Sequence, residues 1–230
     1  MKSLAAFVVG TALALSANAA TVSFSFNNPL QTTDINQTGV LGLFDSSLGT
    51  LTGVALKLSG FSTTDLSVTN ISGDKQNTKV TSFVDLSFGS SLGALNVLLL
   101  SKNPLNPLLS LSASPGPQNL ASDAAVSFGP LTDSQSVKPK VATISLSEFS
   151  KTGGGEFNIT CTSSSRVSIL GNADGIGVTP NNSKSNCGGS IDYTYLNALQ
   201  VNSVPEPTSL ALMGLALAGL GLMRRKADKA

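Results

Sequence analysis

The chain has 230 residues, of which 12% are charged, and its formal net charge is +1. It contains no His and no Trp, so catalytic systems and metal sites that depend on imidazole are excluded. Apolar residues make up 41% of the chain, which also holds 34 Ser and 20 Thr. Hydroxyl residues that alternate with Val, Leu, Ile and Phe are typical of β-structure with one face in water.

Residues 1–19 have the pattern of a signal peptide. Lys2 supplies a positive start, residues 4–15 are apolar, and an Ala-Asn-Ala sequence of small residues ends at Ala19. We therefore predict that signal peptidase cuts between Ala19 and Ala20 and that the protein is exported. A membrane helix fits less well, because twelve residues rise about 18 Å in a helix and the hydrocarbon core is about 30 Å thick.

Residues 20–200 are predicted to form one all-β domain, a single antiparallel β-sandwich. Alternation with a period of two places the large apolar side chains of each run on one face of a strand. These aligned residues are Val22, Phe24 and Phe26; Val54, Leu56 and Leu58; Leu66 and Val68; Val84, Leu86 and Phe88; Val126 and Phe128; Ile144 and Leu146; Phe157, Ile159 and Cys161; and Ile191, Tyr193 and Tyr195. Clusters of Gly, Pro, Asn and Ser predict turns at residues 73–74, 114–117, 153–155 and 180–182. This succession of strands with no convincing helix favours a sandwich.

The segment at residues 92–111 is ambiguous. Its sequence, LGALNVLLLSKNPLNPLLSL, contains an apolar run that is compatible with a buried strand or with a short helix. Pro104 and Pro107 prevent any longer regular element.

The charges of the predicted body argue against several functions. Residues 20–207 carry nine Lys and Arg and twelve Asp and Glu, a formal net charge of −3. A mildly acidic body without a basic patch argues against nucleic-acid binding. No local motif singles out a pair of carboxylates for acid–base catalysis, and only two Tyr and no Trp are available for stacking on sugars. We therefore predict a non-enzymatic protein without catalytic residues or cofactors.

Cys161 and Cys187 are the only two cysteines. The export signal places them in an oxidising compartment, where two thiols of one domain most simply form a disulfide. The sequence predicts Cys161 at a strand end and Cys187 in a Gly-rich loop before the last strand. A Cys nucleophile is the alternative, but it has no His partner.

Residues 34–45 copy the spacing of an EF-hand loop. Oxygen-bearing side chains stand at loop positions 1, 3, 5 and 12, from Asp34 to Asp45, and Gly39 is at position 6. The flanking sequence predicts strands and turns, and Asp reaches less well than Glu for bidentate ligation. We therefore predict no metal site and expect local turn chemistry, with calcium as the weaker alternative. Residues 172–175 have a similar pattern with less support.

The C-terminal residues form a second processing signal. Residues 201–207 are a linker that contains Pro205, Glu206 and Pro207, residues 208–223 are predicted to be a hydrophobic helix, and residues 224–230 are a basic cytoplasmic tail. The basic side chains Arg224, Arg225 and Lys226 are typical of a stop-transfer signal. Within the predicted hydrophobic helix, residues 210–223 form an apolar stretch of 14 residues without charge. Such a stretch spans only about 21 Å as a helix, so it suits transient anchoring in the inner membrane.

The sequence VPEPTSLALMGLALAGLGLMRRK at residues 204–226 resembles a PEP-CTERM sorting signal of Gram-negative bacteria. All three parts of that signal are present in order: the Pro-Glu-Pro motif, the hydrophobic span and the basic tail. The resemblance implies that an exosortase, a membrane protease-transpeptidase, recognises and cuts the chain near Pro205, Glu206 and Pro207. It also implies a host that makes exopolysaccharide or a biofilm matrix.

The body resembles the choice-of-anchor E domain. The resemblance centres on Phe44 and Asp45, continues through the Leu-Gly-Thr-Leu sequence at residues 48–51 and a strand at Val54, and includes IDYTY at residues 191–195 as a closing strand. It implies an exported bacterial surface protein without an assigned activity. We therefore expect a non-enzymatic protein of the cell envelope or extracellular matrix. The alternative is a polysaccharide-binding module or adhesin, with exopolysaccharide as its ligand.

Overall fold

A computed structural model of the chain describes residues 19–101, 107–141, 144–171 and 174–198. These residues form strands β1 (Ala19–Asn27), β2 (Gln31–Thr32), β3 (Asn36–Asp45), β4 (Gly49–Asn70), β5 (Gln76–Ser90), β6 (Leu109–Ala113), β7 (Pro117–Leu120), β8 (Ala125–Val137), β9 (Ser150–Lys151), β10 (Gly155–Gly171) and β11 (Ile176–Asn197). Helix α1 spans Gly93–Leu100, and short 3-10 helices span Ser46–Leu48 and Leu146–Phe149. The predicted all-β class is therefore confirmed. The signal peptide and the hydrophobic C-terminal segment lie outside the described residues, apart from Ala19.

The strands form two sheets. One has the order β1-β11-β4-β8, with β2 also paired to β11, and the other has the order β6-β5-β10-β3-β9, with β7 also paired to β5. The pairs are antiparallel, as predicted, except for the two-residue pair of β3 with β9. The five-stranded sheet therefore has β1 and β8 at its edges.

One hydrophobic core receives side chains from both sheets. Leu56, Leu58, Ile191 and Tyr193 come from the five-stranded sheet, and each is at most 1% exposed. The six-stranded sheet contributes the fully or almost fully buried residues Leu41, Phe44, Val84, Leu86, Phe88, Phe157, Ile159 and Cys161. The period-two pattern thus places the predicted inward faces of β4, β5, β10 and β11 against one another.

Two separately predicted runs, 54–58 and 66–68, belong to one strand of 22 residues, β4. The alternation continues between them with the polar residues Ser62 and Thr64, each 4% exposed. Beyond these residues Leu66 and Val68 join a second, smaller cluster with Val80 and Leu120. A hydrophobic pattern alone does not reveal this continuity, because the inward positions change from apolar to polar.

The predicted turn at residues 180–182 is wrong, because these residues lie within β11. The register with β4 shifts between Asn181 and Lys184, so the turn-like sequence forms a β-bulge. Pro180 pairs with Leu66 of β4, whereas β2 reaches β11 only at Lys184 and Ser185. Proline is tolerated there because the other side of β11 needs no ladder hydrogen bond.

The predicted strand at Ile144 and Leu146 is also wrong. Residues Leu146–Phe149 form a 3-10 helix, from which Phe149 is fully buried in the main core together with Ile144. Both interpretations of segment 92–111 are correct in part, because α1 is followed by strand β6. Leu95 and Leu99 are the buried residues of α1, and their spacing of four places them on one helix face.

Two glycines of β3 allow β1 to pack closely on the neighbouring sheet. A Cβ atom at Gly39 or at Gly42 would lie closer than 3.0 Å to the rings of Phe26 and Phe24, respectively. The hydroxyl of Tyr193 donates a hydrogen bond of 2.8 Å to the carbonyl oxygen of Gly42. Burial also raises the pKa of Tyr193, so this hydroxyl remains a proton donor.

Candidate functional site

The two ends of the described domain lie side by side. In the pairing of β1 with β11, Ala19 is opposite Leu196 and Ala20 is opposite Tyr195. The predicted signal cleavage site is therefore at the first residues of β1, next to the last residues of β11. Pro205, Glu206 and Pro207 follow β11 after a few residues, and they lie outside the described residues together with Arg224, Arg225 and Lys226. Within the described ranges, no helix has the length and hydrophobicity that a membrane-spanning segment needs.

The predicted disulfide is present between Cys161 and Cys187. Both positions differ from the prediction: Cys161 lies inside β10 and Cys187 lies inside β11, so the bond links the two sheets. The residues are 1% and 0% exposed, and their Cα atoms are 6.5 Å apart. The backbone N–H of Cys187 donates to Gln37 Oε1 at 3.1 Å, so a buried amide supports this part of β11. The bridge is structural, because core side chains surround it.

The EF-hand alternative is wrong. Asn36–Asp45 is strand β3, and ten residues of strand extend over about 33 Å. Asp34 and Asp45 therefore cannot surround one ion. Asp34 Oδ1 accepts a hydrogen bond of 3.0 Å from Ser165 Oγ. Among the described residues no group of three or more Cys, Asp or Glu side chains could hold a metal ion, and of residues 172–175 only Asp174 and Gly175 are described.

Asp45 has the expected role in a turn. Its Oδ1 accepts hydrogen bonds from the backbone N–H groups of Ser47 and Gly153, each at 2.9 Å. Hydrogen bonds from Ser47 lower the pKa of Asp45 below its ordinary value, because these donors favour the charged form. The backbone N–H of Gly153 lowers this pKa further, by a smaller amount. Gly153 has φ +79°, a conformation that glycine adopts without steric cost. Asp45 thus joins the start of the Ser46–Leu48 helix to the turn before β10.

A polar groove lies on the outer face of the five-stranded sheet. Its volume is about 550 Å³, and its lining comes from β1, β4, β8 and β11: Asn27, Lys57, Ser59, Gly60, Phe61, Ser134, Gln135, Ser136, Asn186 and Gly188. We call it the Phe61 groove. A Cβ atom at Gly188 would lie 2.9 Å from Ser59 Oγ and 3.1 Å from Asn27 Oδ1. The missing side chain at Gly188 therefore keeps the floor of the groove open.

The chemistry of the Phe61 groove suits an uncharged, hydroxyl-rich ligand. Amides, hydroxyls and one ammonium group surround a single aromatic ring, so the groove offers both hydrogen-bond partners and a flat apolar surface. A second groove of about 620 Å³ lies farther along the same sheet. There Asn181 Nδ2 donates to Ser67 Oγ at 3.0 Å and Asn182 Nδ2 donates to Asp65 Oδ2 at 2.9 Å. Amides of the Phe61 groove are also bound within the protein, since Asn186 Nδ2 donates to the carbonyl of Asn28 and Gln135 Nε2 donates to that of Ser110, each at 2.7 Å. The Phe61 groove is the stronger candidate because four strands line it and its lining has no carboxylate, whereas three strands and Asp65 line the second groove.

The sequence analysis did not identify the Phe61 groove. The alternation around Leu56 and Leu58 implies that Lys57 and Ser59 point outward. It does not show that β11 and β8 flank β4, which brings Gly188 opposite Ser59 and Ser134 opposite Phe61. Only the register between these distant strands assembles the groove.

Comparisons with known proteins place one family motif on the chain. The PEP-CTERM protein-sorting motif matches residues 203–226. No curated protein matches the chain.

Several matching solved structures are of infectious bursal disease virus. They include the T13 IBDV viral particle, with 8% identity and a TM-score of 0.17 over 87% of this chain and 46% of that chain. The Gx strain matches with 10% identity and a TM-score of 0.17, over 87% and 47%. The VP2 subviral particle matches with 9% identity and a TM-score of 0.15, over 87% and 48%. The chain spans less than half the length of these viral chains, and such TM-scores are far below those of proteins that share a fold. The motif at residues 203–226 instead indicates an exported protein that is sorted by an exosortase.

Proposed function

We propose that this chain is a non-enzymatic protein of the cell envelope or extracellular matrix, delivered there by exosortase processing in a bacterium that makes exopolysaccharide. The motif at residues 203–226 carries this proposal. Signal peptidase removes residues 1–19, residues 208–223 hold the chain transiently in the inner membrane, and the exosortase cuts near the Pro-Glu-Pro sequence.

The positions of the domain ends support a domain that keeps its strands after both cleavages. Because Ala20 is paired with Tyr195, cleavage after Ala19 leaves the rest of β1 in the sheet. The C-terminal linker leaves β11 beside the same residues. Cleavage after Ala19 and cleavage near Pro207, which follows the end of β11 at Asn197, therefore both leave the strands of the described domain in place apart from Ala19.

The contacts of the carboxylates support a non-enzymatic role. Asp45 binds two backbone N–H groups of turns. Asp85 pairs with Arg166 Nε at 2.9 Å, and the Arg166 guanidinium lies 3.8 Å from the centre of the Phe83 ring. These carboxylates hold turns and neighbouring strands together. The Phe44-Asp45 sequence of the proposed choice-of-anchor E domain likewise has a structural role, with Phe44 fully buried and Asp45 capping a 3-10 helix.

Deleting residues 203–226 tests the sorting proposal. We expect the full-length chain to yield an exported product that begins at Ala20 and ends near Pro207. The deletion variant should lose only the signal peptide and should not be retained in the membrane. A matched variant, Pro205→Ala with Pro207→Ala, keeps the hydrophobic segment and should accumulate uncut in the inner membrane. Intact mass and cell fractionation distinguish the three products, and identical C-terminal processing of the full-length chain and the Pro205 and Pro207 variant would contradict the proposal.

The second candidate function is binding of a matrix polysaccharide in the Phe61 groove. The supporting observation is a groove of about 550 Å³ in which one aromatic ring is surrounded by amide and hydroxyl groups. We expect Phe61→Ala to weaken binding of the exported protein to host exopolysaccharide by about tenfold, which corresponds to about 1.4 kcal/mol.

Phe83→Ala is the matched control for this test, because Phe83 is another half-buried aromatic residue and lies on the six-stranded sheet. Titration of the polysaccharide with both variants measures the effect. Equal affinities of the Phe61 and Phe83 variants would remove the groove from the interaction.

A further inference from the structure

The two edges of the five-stranded sheet differ in how they are protected. At the β8 edge, the register with β4 shifts between Thr64 and Leu66, next to the Gly129-Pro130 sequence. Asp133 also reaches across to the other sheet, where its Oδ2 accepts a hydrogen bond of 2.8 Å from the N–H of Ser112. A bulge, a proline and an inward-reaching charge are the features that prevent an edge strand from pairing with another chain.

The β1 edge has none of these features. Its sequence, AATVSFSFN, contains no charged residue and no proline. All nine of its residues pair with β11 in one uninterrupted register, from Ala19 to Asn27. An uncharged edge strand of this length, without a bulge, is a template for the addition of another strand.

The hydrogen-bonding phase shows which backbone groups face the open side of β1. The N–H of Asn28 donates to the carbonyl of Cys187 at 3.0 Å, in the same register as the pairs of β1. In an antiparallel ladder alternate residues bond to the same neighbour. The even-numbered residues of β1 therefore bond to β11, and Thr21, Ser23 and Ser25 direct their N–H and C=O groups away from it. Among the described residues, no strand pairs with that open side.

We propose that β1 is a self-association edge, at which β1 of one copy of the chain pairs antiparallel with β1 of a second copy. The two-fold axis passes between the two Ser23 residues, and Thr21 of each copy lies opposite Ser25 of the other. This register uses only outward-facing backbone groups and forms about six hydrogen bonds. The two five-stranded sheets then become one continuous sheet.

The side chains of β1 suit pairing with a second copy. In this register Val22 lies opposite Phe24 of the other copy, so apolar side chains meet on the inner face. Small hydroxyl side chains meet on the outer face, at Thr21, Ser23 and Ser25. β1 has no charge of its own. The carboxylate of Asp192 in β11 accepts a hydrogen bond of 2.6 Å from Ser23 Oγ, and it lies one strand back from the edge, so two β1 strands can pair without like charges directly opposite one another.

Ser25→Pro tests the proposal on the exported protein, with its ends as the cell leaves them. The substitution removes an N–H that points to the open edge and leaves the bonds between β1 and β11 in place. Ser25→Ala is the matched control, because it keeps that N–H, and Ser25→Lys tests the edge with a charge and an unchanged backbone. Analytical ultracentrifugation over a dilution series should show a wild-type dimer. We expect Ser25→Pro and Ser25→Lys to raise its dissociation constant at least tenfold and Ser25→Ala to leave it within twofold.

Hydrogen exchange identifies the edge that is used. The amides of Thr21, Ser23 and Ser25 should be protected in the dimer and should exchange faster on dilution. A wild-type protein that is monomeric throughout would overturn the proposal. So would a dimer that both Ser25→Pro and Ser25→Lys leave intact. Protection of the three amides in a monomer would also overturn it, because another part of the same chain would then cover β1. Circular dichroism and thermal melting establish that each variant is folded.

Discussion

Replacing Cys161 and Cys187 together with alanine is expected to lower the free energy of unfolding by at least about 3.5 kcal/mol, the contribution of the covalent link. The two residues are 26 apart in the chain, and a cross-link that closes a loop of this length restricts the unfolded state by about that amount. The bond also joins β10 to β11, so its removal leaves the two sheets connected at this position through side-chain packing and the hydrogen bond from the Cys187 N–H to Gln37 Oε1.

Urea denaturation of the double-alanine variant and of the reduced wild-type protein measures the effect. Reduction leaves the buried sulfur atoms in place, so it isolates the contribution of the covalent link from the lost packing. We expect both proteins to be destabilised, with the larger loss in the double-alanine variant. A loss below about 1 kcal/mol in both would show that the link constrains the unfolded state far less than a loop of this length implies.

Phe44→Ala is expected to cost about 3–5 kcal/mol of unfolding free energy. Phe44 is 0% exposed, and its ring centre lies 6.0 Å from that of Tyr193 and 5.0 Å from that of Tyr195. Truncation leaves a cavity between β3 and β11, where the two sheets meet. It also removes aromatic contacts worth more than their buried area alone.

Leu48→Ala is the matched control for Phe44→Ala. Leu48 is four residues further along the chain and is 44% exposed, so its truncation should change the unfolding free energy by less than about 0.5 kcal/mol. Urea denaturation of both variants gives the comparison. Similar losses for the two substitutions would place Phe44 outside the principal core.

Sequence periodicity was sufficient to predict much of the fold. The inward faces of β1, β4, β5, β10 and β11 follow the predicted alternation, and Phe157, Ile159 and Cys161 are all buried as expected. The turn at residues 73–74 also lies between strands, as does the turn predicted at 114–117 except for Pro117, which begins β7. These features depend on the geometry of one strand or one turn, and local sequence encodes that geometry.

The incorrect predictions share a different cause. Residues 180–182 have the composition of a turn but form a bulge in β11, and residues 144–146 alternate like a strand but lead into a 3-10 helix. In both cases tertiary contacts accompany the observed conformation: residues 180–182 lie in β11, which is paired with β4 on either side of a bulge, and Ile144 and Phe149 are buried in the main core. The EF-hand spacing at residues 34–45 failed for the same reason, because pairing with β10 extends the segment.

The sequence by itself determined that this protein carries a C-terminal sorting motif, an alternating β-rich body and one pair of cysteines, and it predicted the signal peptide, since each is a property of neighbouring residues or of composition. Only the tertiary structure decided that the cysteines join two sheets, that Gly188 and Phe61 share a groove, and that β1 has an open edge. These features arise from the register between strands far apart in the chain, and many long-range contacts together set that register.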